Sequence, residues 1–166
     1  MGIDVYLEWK GKTEADTQAQ YTGFSTTHGH VGYLREAYHG GPYATAYLIS
    51  EDWNDQPEQG FEIKASTLRK RLPAAVMASI YRENVVYGGD QAQAESLQAA
   101  LTKILGDVPN IQRRDFTPNK EQVRACGALI KKRKLPPYAL AFVDFVDLAE
   151  RKEKETGNPC RVVVSA

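Results

Sequence analysis

An α+β fold is what this sequence predicts: a small β-sheet packed against about four helices, in a single domain over residues 1–166. Three observations carry that expectation. Apolar and polar residues alternate at the start, a β-branched run closes the chain, and helical periodicity fills much of the stretch between. With strands at both ends, the natural arrangement sets the last strand beside one of the first, in one sheet covered by helices.

The elements follow in order. Ile3, Val5, Leu7 and Trp9 alternate with Asp4, Tyr6 and Glu8, the period of a half-buried strand. Gly11 to Gln20 is polar and without period, and reads as a loop. His30 to Tyr38 is rich in aromatic and β-branched residues between glycines, and reads as a strand ending in a turn at His39-Gly40-Gly41-Pro42. Residues 44–49 read as a second strand, the other option being a short helix opened by Pro42. Glu51 to Gly60 is a polar loop. Ser66 or Thr67 caps a helix on Leu68, Leu72, Val76 and Ile80, which Pro73 kinks or restarts. Asp90 caps the next, with a stripe of Leu97, Leu101, Ile104 and Leu105, and Gly106 stops it. Thr117-Pro118 opens a third, with Val123, Cys126 and Ile130 inward. A fourth runs from Pro137 to Thr156 on Phe142, Phe145, Val146 and Ala149, with Glu150–Lys154 and Arg151–Glu155 pairs outside. Cys160 to Ser165 is the closing strand.

Composition excludes several classes. A hydrophobic fraction of 42% with 25% charged residues is that of a globular chain, not a disordered one. Apolar runs such as Ala139–Val143 are far too short to span a bilayer, so no membrane association is expected. The N-terminus has no basic region followed by an apolar core, and Tyr6 stands where a myristoylation signal needs Ser or Thr. The expected location is cytoplasmic. Cys126 and Cys160 lack CxxC spacing and read as buried apolar groups. Net charge is zero but unevenly placed: −7 over residues 1–62, +8 over 63–136 and −1 thereafter. Such asymmetry suits a charged partner or two mutually compensating faces.

All three histidines, His28, His30 and His39, fall in one short glycine-containing stretch. His28 and His30 on a strand would share one face, which suits a divalent metal with Asp4, Glu8 or Glu36 as a carboxylate partner. His39 has the opposite parity and joins only if the chain folds back. No HExxH or paired CxxC supports that site, so no cofactor is predicted and no metal is favoured; the metal reading, a metal-assisted hydrolase, stays an alternative. The preferred site is the face of Tyr33, Arg35 and His39. Arg35 offers a planar fork for a carboxylate or phosphate, Gly40 and Gly41 offer backbone donors, and Tyr43 and Tyr47 offer ring contacts.

Other motifs fall short. His39-Gly-Gly-Pro lacks the Lys-Ser/Thr of a phosphate loop, Asp52-Trp-Asn-Asp55 lacks the glycine and glutamate of a calcium loop, and no GxSxG elbow is present. Arg69-Lys70-Arg71 and Lys131–Lys134 resemble nucleic-acid patches, but cations at a helix C-terminus are stabilising in themselves, and with a pI of 6.8 and no binding signature a nucleic-acid partner is not expected; a nucleic-acid role through the basic middle segment stays a further alternative. The blocks Met1-Gly-Ile-Asp-Val-Tyr-Leu-Glu-Trp9, Gly32-Tyr-Leu-Arg-Glu-Ala-Tyr-His-Gly-Gly-Pro42, Leu68-Arg-Lys-Arg-Leu-Pro73 and Glu155-Thr-Gly-Asn-Pro-Cys-Arg-Val-Val-Val-Ser165 resemble pieces of small uncharacterised bacterial proteins. The resemblance implies a bacterial or phage origin and transfers no functional residues. The expectation is a domain that binds a partner protein or a small, anionic ligand through residues 28–47.

Overall fold

A computed structural model describes residues 2–22, 29–37, 43–49, 60–83 and 118–165. In chain order these form β1 (Gly2–Glu8), α1 (Glu14–Thr22), a 3-10 turn (Gly29–Val31), β2 (Tyr33–Ala37), α2 (Ala44–Ile49), β3 (Phe61–Ile63), α3 (Ala65–Tyr81), α4 (Lys120–Lys131), α5 (Pro137–Thr156) and β4 (Cys160–Ser165). The four strands make one antiparallel sheet in the order β2-β1-β4-β3, so the fold is α+β and the last strand does lie beside the first. Among the described residues no helix is long and apolar enough to cross a membrane.

Strand alternation sets the layers. Ile3, Val5 and Leu7 of β1, Leu34 of β2 and Val162 of β4 point to one side, where they join Leu68, Leu72 and Val76 of α3 and Phe142, Phe145 and Val146 of α5 in one buried cluster. Each such side chain contributes about 1.5–3 kcal/mol when fully buried. The two long helices are also clamped by charge: Arg69 of α3 donates to Glu150 at 2.7 Å and Asp147 at 2.6 Å, both on α5. Glu150 is therefore engaged across helices and not with Lys154, while Glu155 pairs with Lys152 at 3.0 Å.

Several expectations need correction, and the reasons are physical. Residues 14–22 are helical because Thr13 and Asp16 form a capping box: the Asp16 amide donates to the Thr13 hydroxyl at 3.1 Å and the Thr13 amide to the Asp16 carboxylate at 2.9 Å. The buried residue of α1 is Gln20, which donates to the carbonyls of Leu7, Val31 and Gly32, so no apolar period marks this helix. Residues 44–49 are helix, not strand, because charged side chains from other elements cap both ends. The Glu36 carboxylate accepts from the amides of Ala44 (2.9 Å) and Thr45 (3.2 Å), and Arg71 donates to the carbonyls of Leu48 and Ile49.

The helix over 65–81 runs through Pro73 without restarting, and it starts at Ala65 after Lys64 instead of at a Ser66 or Thr67 cap. Its first amide is taken by Glu153 of α5 at 2.6 Å. Asn119, with Gln122, caps α4 in a reciprocal box. Cys126 of α4 is buried as expected, Ile130 is partly buried, and Val123 is 41% exposed. The three-residue β3 has no counterpart in the sequence reading; it is too short to show a period. The helix expected after Asp90, and the loop at 51–59, lie outside the described residues.

Candidate functional site

The sheet face turned away from the main core carries Asp4 and Tyr6 on β1 and Tyr33 and Arg35 on β2. Antiparallel register sets Asp4 opposite Arg35 and Tyr6 opposite Tyr33. Cross-strand neighbours of this kind interact directly. The Tyr33 hydroxyl donates diagonally to Asp4 Oδ1 at 2.8 Å, and Arg35 Nε lies 3.7 Å from the same oxygen. The rings of Tyr6 and Tyr33 meet with centroids 5.2 Å apart, tilted by 44°. Gly32, just before β2, has φ +75°, and a Cβ there would stand 3.1 Å from both Leu148 and Leu7. That close approach holds β2 against the core and orients its outward residues.

Burial grades the cluster. Tyr33 is wholly buried, the Asp4 side chain is 15% exposed and that of Arg35 is 37% exposed. Burial, reinforced by the Asp4 carboxylate, pushes the Tyr33 phenol well above its ordinary range, and the same causes raise Tyr6 to a lesser degree. Both phenols therefore stay protonated at neutral pH, and Tyr33 acts as a fixed donor to Asp4. Tyr21 of α1 stands near Tyr6 and is 59% exposed, extending the aromatic surface.

The other side of β2 differs. Glu36 is 8% exposed and lies with the core. Besides capping α2 it accepts from the Thr45 hydroxyl at 2.8 Å, and Arg82, itself 3% exposed, approaches to 3.9 Å. The Arg82 guanidinium sits 4.7 Å over the Tyr43 ring and donates to the Ala37 carbonyl. Burial raises the Glu36 carboxyl above its ordinary value, opposed by Arg82, the Thr45 hydroxyl and the two capping amides.

The residues expected to form one surface are thus divided. Tyr33 and Arg35 share the outward face, as parity indicated. Tyr43 packs with Arg82 on the core side, and Tyr47 is partly buried against the core. His30 is exposed, on a 3-10 turn, so the shared strand face expected for His28 and His30 does not exist for it. His28, His39, Gly40 and Gly41 lie outside the described residues. Glu36, offered as a metal partner, is a buried helix cap, and Asp4 is engaged by Tyr33 and Arg35. Among the described residues no cluster of three or more His, Cys, Asp or Glu is placed to hold a metal ion. Burial pushes Cys126 up to about 12 and Cys160 up to about 11, which disfavours the thiolate of each at neutral pH.

Tyr6, Tyr21 and Arg82 were missed by sequence reasoning. The alternation of β1 already placed Tyr6 outward, whereas Arg82 carried no local signal. No protein-family model, curated protein or solved structure matches this chain.

Proposed function

We propose that the protein is a binding domain that recognises a carboxylate-bearing partner on the outward face of β1 and β2. The observation that carries this reading is Arg35, its side chain 37% exposed, beside Asp4 and the part-buried Tyr6, with the wholly buried Tyr33 holding Asp4 from within. Arginine presents a rigid fork matched to carboxylates, and tyrosine and arginine dominate the energetics of recognition surfaces. Asp4 keeps the guanidinium in place before binding, which lowers the ordering cost of association. The carboxylate belongs either to a small acid or to an acidic side chain of a protein.

Titration of the isotopically labelled protein with citrate, and separately with an acidic tyrosine-containing peptide, distinguishes these sources by amide NMR shifts. Shifts centred on Asp4, Tyr6, Tyr33 and Arg35 are expected, and Arg35→Ala should abolish them while the melting temperature stays within a few degrees. If neither probe moves those amides at millimolar concentration, the reading is wrong.

A further inference from the structure

We infer that the outward face of α4 is a separate docking strip for the phosphodiester backbone of a double-stranded nucleic acid, contacted by Lys120, Arg124, Lys131, Lys132 and Lys134. All five are exposed. At about 100° per residue, Lys120, Arg124 and Lys131 fall within about 40° of one another, on a line about 16 Å long. Lys132, about 100° round the helix from Lys131, and Lys134, past the helix end, add positive charge beside its C-terminal end. None of the five makes an ion pair or a side-chain hydrogen bond among the described residues, whereas Arg133 between them is bound to Asp144 at 2.8 Å.

Helix electrostatics does not account for the whole strip. Lys131 to Lys134 complement the negative end of the helix dipole, but Lys120 is the first residue of α4, where positive charge is disfavoured, and Arg124 lies beyond the first turn, where the dipole does not account for it. The C-terminal turn is also held in place. The Arg133 amide donates to the Ile130 carbonyl at 3.1 Å and the Lys134 amide to that of Leu129 at 3.0 Å, with Arg133 in the left-handed region at φ 52°. A residue other than glycine is strained there, and its bond to Asp144 keeps Lys132 and Lys134 on either side of a fixed point.

Gly127 adds an independent observation. It lies in the middle of α4, where glycine costs roughly 1 kcal/mol relative to alanine. A Cβ at this position would meet nothing within 4 Å. Among the described residues no packing contact accounts for the missing side chain, while Gly127 and Ala128 leave a low track between Arg124 and Lys131 into which a backbone fits.

The chemistry of the strip selects the partner. Four of the five cations are lysines, a type depleted in the cores of protein–protein interfaces. No aromatic residue occurs on α4 for stacking single-stranded bases, and Val123 alone is too little apolar surface to enter a membrane. A duplex presents one negative charge per roughly 1.7 Å of axis and needs only cations and close approach.

Fluorescence anisotropy with a short DNA duplex of arbitrary sequence, over a series of salt concentrations, tests the inference. Wild type should bind at low salt with a log–log salt slope of about −4, as expected for four or five phosphate contacts. The combined Lys120→Gln, Arg124→Gln, Lys131→Gln variant should flatten that slope by about 3 and weaken binding at least roughly tenfold at low salt. Gly127→Leu should weaken binding while maintaining or raising the melting temperature, which a purely structural role would not produce. Absence of duplex binding at low salt overturns the inference, as does a slope unchanged in the triple variant. Binding to phosphatidylserine vesicles or poly-glutamate without binding to the duplex overturns it in favour of a membrane or an acidic protein. Should the triple variant melt early, the Lys132→Gln, Lys134→Gln pair provides the same reading from outside the helix.

Discussion

Two arginine–carboxylate pairs stand on opposite sides of one five-residue strand, and their surroundings give them opposite roles. Asp4–Arg35 lies on the outward face with side chains 15% and 37% exposed; Glu36–Arg82 lies on the core side at 8% and 3%. The outward arginine is partly solvated and lies 3.7 Å from its carboxylate, so that pair adds little stability. On the core side water no longer solvates the ions, and each depends on the other and on neighbouring hydrogen bonds. Glu36 meets that need by capping α2 while Arg82 covers Tyr43 and ties down the Ala37 carbonyl. Residues adjacent in sequence, Arg35 and Glu36, thus stand in opposite environments: Glu36 serves architecture, and Arg35 carries the proposed recognition.

The largest effect expected from breaking this contrast is at Arg82. Arg82→Ala leaves the Glu36 carboxylate buried without its cation and should lower unfolding stability by about 3–5 kcal/mol in urea titrations. Replacing Glu36 and Arg82 together with methionine should recover part of that loss, because no unpaired charge then remains. Recovery of nothing would show that the capping of α2, and not the charge balance, dominates.

An intermediate effect is expected at Asp4. Asp4→Ala removes the acceptor of the buried Tyr33 hydroxyl, a change worth about 1–3 kcal/mol. Tyr33→Phe in the Asp4→Ala background should then cost less than it does in the wild type, since the hydroxyl has already lost that acceptor. Equal losses in both backgrounds would mean that Tyr33 does not depend on Asp4. Arg35→Ala should change stability by less than about 1 kcal/mol, making it the variant that separates binding from folding.

The smallest effect is in pH dependence, and its sign separates the core-side carboxyl from an exposed one. Glu36 is raised above its ordinary 4.5 by burial, so the folded state holds this proton more tightly than the unfolded state. Its contribution is fully present below 4.5 and falls as pH rises through the folded value. Asp16 is lowered below 3.8, chiefly by the Thr13 amide, so its contribution is present above 3.8 and lost as pH falls through the folded value. Stability differences between wild type and Glu36→Gln, and between wild type and Asp16→Asn, should therefore change in opposite senses across the acidic range. Parallel curves would contradict the environment assigned to Glu36.

Legibility from sequence followed the number of apolar residues that each element buries. β1 and α5 bury regular apolar positions whose periods are plain in the sequence, and β4 is marked by its β-branched run. α1 buries a glutamine, so the hydrophobic pattern is silent, although Thr13-x-x-Asp16 carried a capping signal that composition alone obscured. α2 has six residues, too few to distinguish a helix from a strand by period. Its conformation is decided by Glu36 and Arg71, which arrive from other elements. For the candidate site, strand parity was enough to place Tyr33 with Arg35. It could not identify Asp4 as their shared partner, because that depends on the pairing of β1 with β2.

By itself, then, the sequence determined the α+β class, the two terminal strands, the long C-terminal helix and the outward side of Tyr33 and Arg35. These are consequences of local period, which follows from backbone geometry. Tertiary structure alone decided that Glu36 is a buried cap, that Tyr43 belongs to the core side, and that Arg82 completes their cluster. Those assignments depend on which charges lose their water on folding, and that is set by neighbours distant along the chain.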